Sequence, residues 1–402
     1  MAEPFKNLLN PALVVKLGHH IARSAKKQKL HVDASSFVAY ATTGLDTLEM
    51  KARAEHVADA LERVLPSDFP AACEILEGTL AAARTSDRVD PARADEQGVA
   101  GWIVWPLTLF VARRGMNAPK RALASLREMT MRFTSEWAIR PFVEAHPSVT
   151  FPTLATWTRD PNVHVRRLVS EGTRPRLPWG KRLGALVSDP SPTLPLLEAL
   201  RDDPSEYVRR SVANHLNDIA KDHPGRFADI LESWIVTANQ ERTRLLSHAS
   251  RTLVKAGDPR VLRAFGLDRA LDGEASFRLQ PSKLVLGESL ALSVDVHSTS
   301  KKNQKLVVDY VVFHVRANGT STPKVFKGWT LALGPGERRA LARSHPIRPI
   351  TTRAYYSGLH AVECRINGRA VGRVEFDLAV PRMVEGARCA GSSPRETSRS
   401  ET

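Results

Sequence analysis

The chain has 402 residues, too many for one compact core, so two or three domains are expected. Its 42% hydrophobic content suits ordinary globular folding, no long uncharged apolar run would span a membrane, and the N-terminus lacks the order of a secretory signal. A formal charge of +15 points to a polyanionic partner, and three widely spaced cysteines, Cys73, Cys364 and Cys389, predict a reduced, cytoplasmic protein without disulfides or structural zinc.

Residues 1–266 read as helical. Residues 48–65, LEMKARAEHVADALERVL, carry apolar side chains at helical spacing, and Pro66-Ser67-Asp68 closes that helix and restarts the next. Further helices are expected over 68–84, 101–114, 118–130, 135–145, 151–158 and 163–170, then 178–187, 193–200, 205–221, 225–238, 241–255 and 258–265. Residues 88–98 read as a loose surface loop. Two stretches, DPNVHVRRLV from Asp160 and DPSEYVRRSV from Asp203, repeat an Asp-Pro turn and a Val-Arg-Arg helix start 43 positions apart. A helical repeat with a period in the forties indicates a HEAT-like solenoid.

The pattern changes around 266–274. Leu290, Leu292, Val294 and Val296 alternate with polar or small residues, the period of a half-buried antiparallel strand. Strands are expected over 305–317, 324–333, 338–347, 358–366 and 372–380, with a tight hairpin at Asn367-Gly368 and a loop at Gly334-Pro335-Gly336. About seven short strands in about 105 residues predict an immunoglobulin-like sandwich. The fold class is therefore multidomain: an all-α HEAT-like solenoid (1–266), a small all-β immunoglobulin-like sandwich (275–380) and a disordered tail (381–402). The sandwich holds 16 Lys and Arg against 7 Asp and Glu, more than half of the chain's excess positive charge.

Three acids stand out against the repeat. Glu136 in SEWAIRPF and Glu171 in SEGTRPR each follow a serine and precede an Arg-Pro pair, 35 positions apart. In the Asp160/Asp203 alignment Glu171 falls on Asn214, with Asp218 one turn further along. Stacked repeats bring equivalent positions onto one face, so Glu136, Glu171, Asn214 and Asp218 are expected to converge, with Trp137, Trp157 and Trp179 nearby. Trp102, Trp105 and Trp137 read as core rather than ligand surface, whereas Arg166, Arg167, Arg209 and Arg210 fit repeat packing and phosphate contact equally well. Carboxylates in a basic, aromatic-lined groove suit the breaking of an N-glycosidic bond, where a positively charged, oxocarbenium-like sugar develops. No Walker loop, nucleophile elbow or paired Cys/His cluster is present.

Across 44–61, 132–142, 164–179 and 211–221 the sequence resembles the AlkC branch of the HEAT-like-repeat DNA alkylation-repair glycosylases, some of which carry a C-terminal immunoglobulin-like domain. The resemblance implies a monofunctional glycosylase that excises cationic N-alkylated bases, notably 3-methyladenine and 3-methylcytosine, from duplex DNA and leaves an abasic site. It implies little dependence on flipping the base into a deep pocket. Carried over motif by motif, it places the catalytic acids on Glu136, Glu171 and Asp218 and an aromatic contact on Trp179. Trp157, Arg140, Arg166, Arg174, Arg176 and Asn214 complete the expected DNA-binding set in the helical part, and Lys301, Lys302, Arg338 and Arg339 that of the β domain. Neither a metal nor another cofactor is expected, and the protein is expected to act as a monomer. The competing expectation is a non-enzymatic HEAT-repeat scaffold that binds nucleic acid or protein, since most such solenoids are scaffolds. A membrane-surface protein fits less well, because no basic amphipathic segment or lipidation motif occurs.

Overall fold

The computed structural model describes residues 4–87, 92–350 and 353–381. The expected disorder of residues 381–402 lies, beyond Pro381, outside the described residues. The chain divides between Val254 and Lys255 into two compact units, earlier than the change of pattern at Gly266 suggested.

The first unit opens with α1 (Pro11–Lys27), α2 (Ala34–Thr42), α3 (Met50–Val64) and α4 (Phe69–Glu77). Asn10, Asp33 and Asp68 cap α1, α2 and α4 by accepting hydrogen bonds from backbone amides that the first turn leaves unpaired. The helix expected to run to residue 84 stops at Gly78, and the chain continues extended. Of the loop expected over 88–98, residues 88–91 lie outside the described residues, and 92–98 belong to an antiparallel hairpin, β1 (Ala92–Asp95) and β2 (Gly98–Gly101). Its residues carry no strand-like apolar alternation, so its order comes from tertiary partners. Val99 exchanges backbone hydrogen bonds with Thr79 and Ala81, and Lys16, His20 and Arg23 on α1 bond the carbonyls of Ala94, Asp95 and Glu96. Gly98 has φ +148°, and a Cβ there would lie 2.4 Å from the Ala81 nitrogen, so the close approach requires glycine.

The array continues with α5 (Trp105–Arg114), α6 (Pro119–Thr130), α7 (Arg140–Ala145), α8 (Pro147–Trp157), α9 (Val163–Gly172), α10 (Gly184–Ser188), α11 (Leu194–Leu200) and α12 (Glu206–Asp222). It closes with α13 (Pro224–Ile235), α14 (Gln240–Ala249) and α15 (Arg251–Ala256), which crosses the boundary into the second unit. The repeat read from sequence has a structural counterpart. Asp160 accepts the Asn162 amide and pairs with Arg127 on α6, and Asp203 accepts the Ser205 amide and pairs with Arg166 on α9. Each turn is thereby tied to the preceding repeat, and Val165 and Val208 pack in the core at equivalent positions.

The second unit carries α16 (Pro259–Ala264) and eight strands: β3 (Gly273–Gln280), β4 (Lys283–Val285), β5 (Ser289–Ser298), β6 (Gln304–Val315), β7 (Ser321–Leu333), β8 (Arg338–Pro346), β9 (Gly358–Ile366) and β10 (Arg369–Ala379). They form a five-stranded sheet in the order β4-β10-β9-β6-β7 and a three-stranded sheet in the order β3-β5-β8. Leu290, Leu292, Val294 and Val296 are all buried, as their alternation requires. They pack against Leu306, Val308, Tyr310 and Val312 of the other sheet in the sandwich core. Asn367 and Gly368, with φ +49° and +77°, form the two-residue hairpin between β9 and β10.

Candidate active site

Glu136 sits in the turn before α7, Glu171 in the last turn of α9 and Asp218 near the end of α12. Three separate repeat segments thus deliver the three acids to one place. Basic side chains alternate with them. The Glu136 carboxylate accepts from Arg167 at 2.8 Å and from Thr134 at 2.9 Å. Arg167 reaches Glu171 at 3.7 Å, and Arg174 bonds Glu171 at 2.7 Å and Asp218 at 2.9 Å. Lys221 completes the row on Asp218 at 3.0 Å. Arg167 also lies 5.0 Å from the centroid of the Tyr207 ring, a cation–π contact that fixes its direction.

The acids differ in exposure, at 8% for Glu136, 6% for Glu171 and 0% for Asp218. All three are buried; Glu136 and Glu171 keep a small exposed area and Asp218 keeps none. Burial alone would raise the Glu171 carboxyl, but Arg167, Arg174 and the Ser211 hydroxyl outweigh burial and hold it below its ordinary value. Burial dominates at neighbouring His215 and pushes it down to about 4, so its ring is neutral.

Beside the acids lies an aromatic group larger than sequence reasoning expected. The Trp179 ring is 62% exposed and stacks near Trp105 and Trp137, at centroid separations of 6.5 and 6.4 Å and interplanar angles of 14° and 22°. Phe5 meets Trp102 and Trp179 edge-on, and Phe133 packs on Trp102. Trp105 is core, as expected, but Trp102 and Trp137 are only partly buried and belong to this surface. The hairpin β1–β2 leads directly into Trp102, which explains why the grouping was invisible in linear sequence.

The helix expected over 178–187 shrinks to α10, and residues 173–183 form a loop that displays Trp179 with φ +61°. Arg140 organises that loop. Its guanidinium donates to the carbonyls of Gly172, Arg174 and Lys181, at 2.6–2.9 Å. Arg140 was expected on the DNA-binding surface, yet it is buried, and burial lowers its pKa to about 10. Trp157, expected near Trp179, is likewise buried, within α8. Arg166 is tied to Asp203, Arg174 to two acids and Arg176 to Asp222 at 2.5 Å, each engaged within the repeat array. Asn214 accepts from His248 and Arg251. The residues that sequence reasoning left out of the site are Arg167, Tyr207, Ser211 and Lys221. Of these only Arg167 carried a signal, as part of the repeated Val-Arg-Arg start.

A family model described as the C-terminal Ig-like domain of the uncharacterised protein YhaZ matches residues 274–380. The uncharacterised protein YhaZ of Bacillus subtilis strain 168 is 34% identical over 377 residues, which cover 93% of this chain and 99% of that protein. The solved structure of Pseudomonas fluorescens alkylpurine DNA glycosylase AlkC, bound to DNA containing an abasic site analog, is 34% identical. It superposes with a TM-score of 0.83 over 94% of this chain and 100% of its own. The chain belongs to the AlkC branch of the HEAT-like-repeat glycosylase family.

In the β unit of this AlkC-family chain, Lys301 and Lys302 are exposed in the loop between β5 and β6. Arg338 and Arg339 are exposed at the start of β8, whose first residues pair with the end of β5. The register therefore gathers the four basic residues at one end of the three-stranded sheet, with Arg339 held by Glu337. Among the described residues no group of three or more His, Cys, Asp or Glu is spaced to hold a metal ion, and no helix is long and apolar enough to cross a membrane.

Proposed function

We propose that this chain is a DNA glycosylase that hydrolyses the N-glycosidic bond of cationic alkylated bases, 3-methyladenine and 3-methylcytosine, in duplex DNA. The convergence of Glu136, Glu171 and Asp218 from three repeats, beside an exposed tryptophan, carries this reading. The AlkC structure, bound to DNA with an abasic site analog, supports it through 94% of the chain. A methylated cationic base needs no protonation to leave: the bond electrons pass to the base, which departs neutral, and the sugar becomes oxocarbenium-like. A carboxylate about 4 Å from that charge stabilises it by about 4 kcal/mol at an effective dielectric near 20. Water then adds to the anomeric carbon and passes its proton to the surrounding solvent, leaving an abasic site.

Within this reading Glu171, held ionised and slightly exposed, is the leading electrostatic group. Glu136 flanks the reacting sugar and orients water, and Asp218 adds charge from behind. Trp179 offers its π face to the cationic nucleotide. Arg140 serves as the organiser of the Trp179 loop. The protein acts as a cytoplasmic monomer, and the basic end of its β unit contacts DNA phosphates.

One observation favours the second reading, a helical scaffold: all three acids are paired with cations, as they would be in a purely structural network. Excision from methylated duplex DNA decides between them. Glu171→Gln should release free methylated bases about 10²–10³ times more slowly than the parent protein, with DNA affinity nearly unchanged. Absence of base release by the parent protein would overturn the glycosylase reading.

A further inference from the structure

The Glu171 carboxylate has a neighbour that charge pairing does not explain. Its Oε2 accepts a hydrogen bond of 2.6 Å from the Ser211 hydroxyl on α12, inside a buried contact between α9 and α12. Ser211 in turn accepts a 2.6 Å hydrogen bond from the Ser170 hydroxyl, on the residue preceding Glu171. The Ser170 carbonyl is engaged by His215 Nδ1 at 2.9 Å, which ties that end of α9 to α12. Both serines are almost fully buried, so water does not compete for these hydroxyls.

A hydroxyl carries one hydrogen. Ser170 has two acceptors for its hydrogen, Ser211 at 2.6 Å and the Arg167 carbonyl at 3.2 Å, and either choice leaves the Ser211 hydrogen free to point at the Glu171 carboxylate, the one charged acceptor it touches. A proton on Glu171 Oε2 would meet that hydrogen head-on. Ser211 would have to turn its hydrogen from the carboxylate to the Ser170 oxygen, and Ser170 would have to exchange its 2.6 Å contact for the longer 3.2 Å one to the Arg167 carbonyl. The relay therefore favours the ionised carboxylate over the protonated acid, and it holds one oxygen in place while Arg174 holds the other at 2.7 Å. At that oxygen the charge pairing is the 3.7 Å contact of Arg167, too long to set a direction as the 2.6 Å hydrogen bond of Ser211 does.

We propose that Ser211, with Ser170 behind it, is a positioning residue that keeps Glu171 anionic and fixed in direction for excision. This assignment rests on the glycosylase reading of the same site. It differs from a packing role in what it predicts about pH, because a serine that only fills space leaves the ionisation of Glu171 untouched.

The test is single-turnover release of methylated bases from methylated duplex DNA by the full-length chain, measured from acidic to neutral pH. Ser211→Ala should excise about tenfold more slowly near neutrality, with half-saturating DNA concentration within about twofold of the parent. The acid limb of its rate profile should move upward by about one pH unit, the shift that equals a tenfold change in the ionisation equilibrium. Ser211→Thr keeps the hydroxyl and should restore both rate and profile. Ser170→Ala, which removes only the outer donor, should show a smaller change in the same direction, about threefold, and serves if Ser211→Ala does not fold by circular dichroism. Full activity in Glu171→Gln overturns this assignment together with the leading role of Glu171, whereas absence of base release by the parent overturns the glycosylase reading on which both rest. Loss of activity in Glu171→Gln, with the parent rate and profile in the serine variants, overturns the positioning role alone.

Discussion

Arg174 is the residue whose removal separates a structural from a nucleic-acid-contacting role most sharply. Its guanidinium lies between Glu171 and Asp218, both buried, so Arg174→Ala strands two carboxylates at once. Breaking a buried ion pair from one side costs about 3–5 kcal/mol. Here Arg167 and Ser211 remain on Glu171, and Lys221 remains on Asp218, which places the loss near the lower limit, about 3 kcal/mol. For a helical unit of this size that corresponds to a fall of roughly 6–12 °C in Tm, read from the helical circular-dichroism signal. Adding Asp218→Asn to Arg174→Ala should recover part of the loss, because one stranded charge disappears. The effect has a definite pH dependence. Burial raises the Glu171 carboxyl, but its cations and Ser211 hold it below the ordinary 4.5, so its stabilisation is complete above 4.5 and is lost as pH falls through the lowered value. Without Arg174 the native value moves back toward 4.5, so the gap between the melting temperatures of parent and variant should narrow below 4.5 and close below the parent's lowered value. A variant that melts within about 2 °C of the parent at neutral pH would refute the argument, since no buried pair could then be at stake.

Trp179→Ala should weaken preference for methylated over unmodified DNA more than it weakens binding to either, and competition binding checks this; equal losses, or unfolding by circular dichroism, would remove Trp179 from the lesion contact. The Lys301→Glu, Lys302→Glu double variant should bind DNA more weakly and with a shallower dependence on salt, by about 0.9 logarithmic units per lost phosphate contact per decade. An unchanged slope would mean that this end of the β unit touches no phosphate.

Repetition was legible because it is local. Asp160 and Asp203, with the Val-Arg-Arg starts behind them, are visible in any reading of the chain, and the structure uses them as matched ties to the preceding repeat. The nearness of Glu136 and Glu171 was legible for the same reason, but repeat equivalence pointed from Glu171 to Asn214, which bonds His248 and Arg251, and it is Asp218 one turn further along that joins the acids through Arg174. Sequence could not say how a cation is spent. Arg140, Arg174 and Arg176 look like free basic residues in a Arg-Pro-rich stretch, yet one organises a loop through backbone carbonyls and two are committed to acids more than forty positions away or one turn upstream. The hairpin at 92–101 was illegible because its order is borrowed from α1 and from the segment after α4. With it went the position of Trp102, and so the extent of the aromatic surface. In the β unit the period of two and the Asn367-Gly368 turn carried nearly all the information, because both are fixed by backbone geometry.

The ties between successive repeats also decide where thermal opening begins. Arg127 to Asp160 and Arg166 to Asp203 each join one repeat to the next, and longer ties from Asn162 and His164 to the carbonyls of Arg84 and Ser86 add to them around α9. Members with fewer such ties open first. Glu136, Glu171 and Asp218 stand on interior members, flanked on both sides by helices that must loosen before them. Amide exchange should therefore be slowest in α9 and α12, and the acids should keep their mutual spacing while the first and last helices of the array open and close.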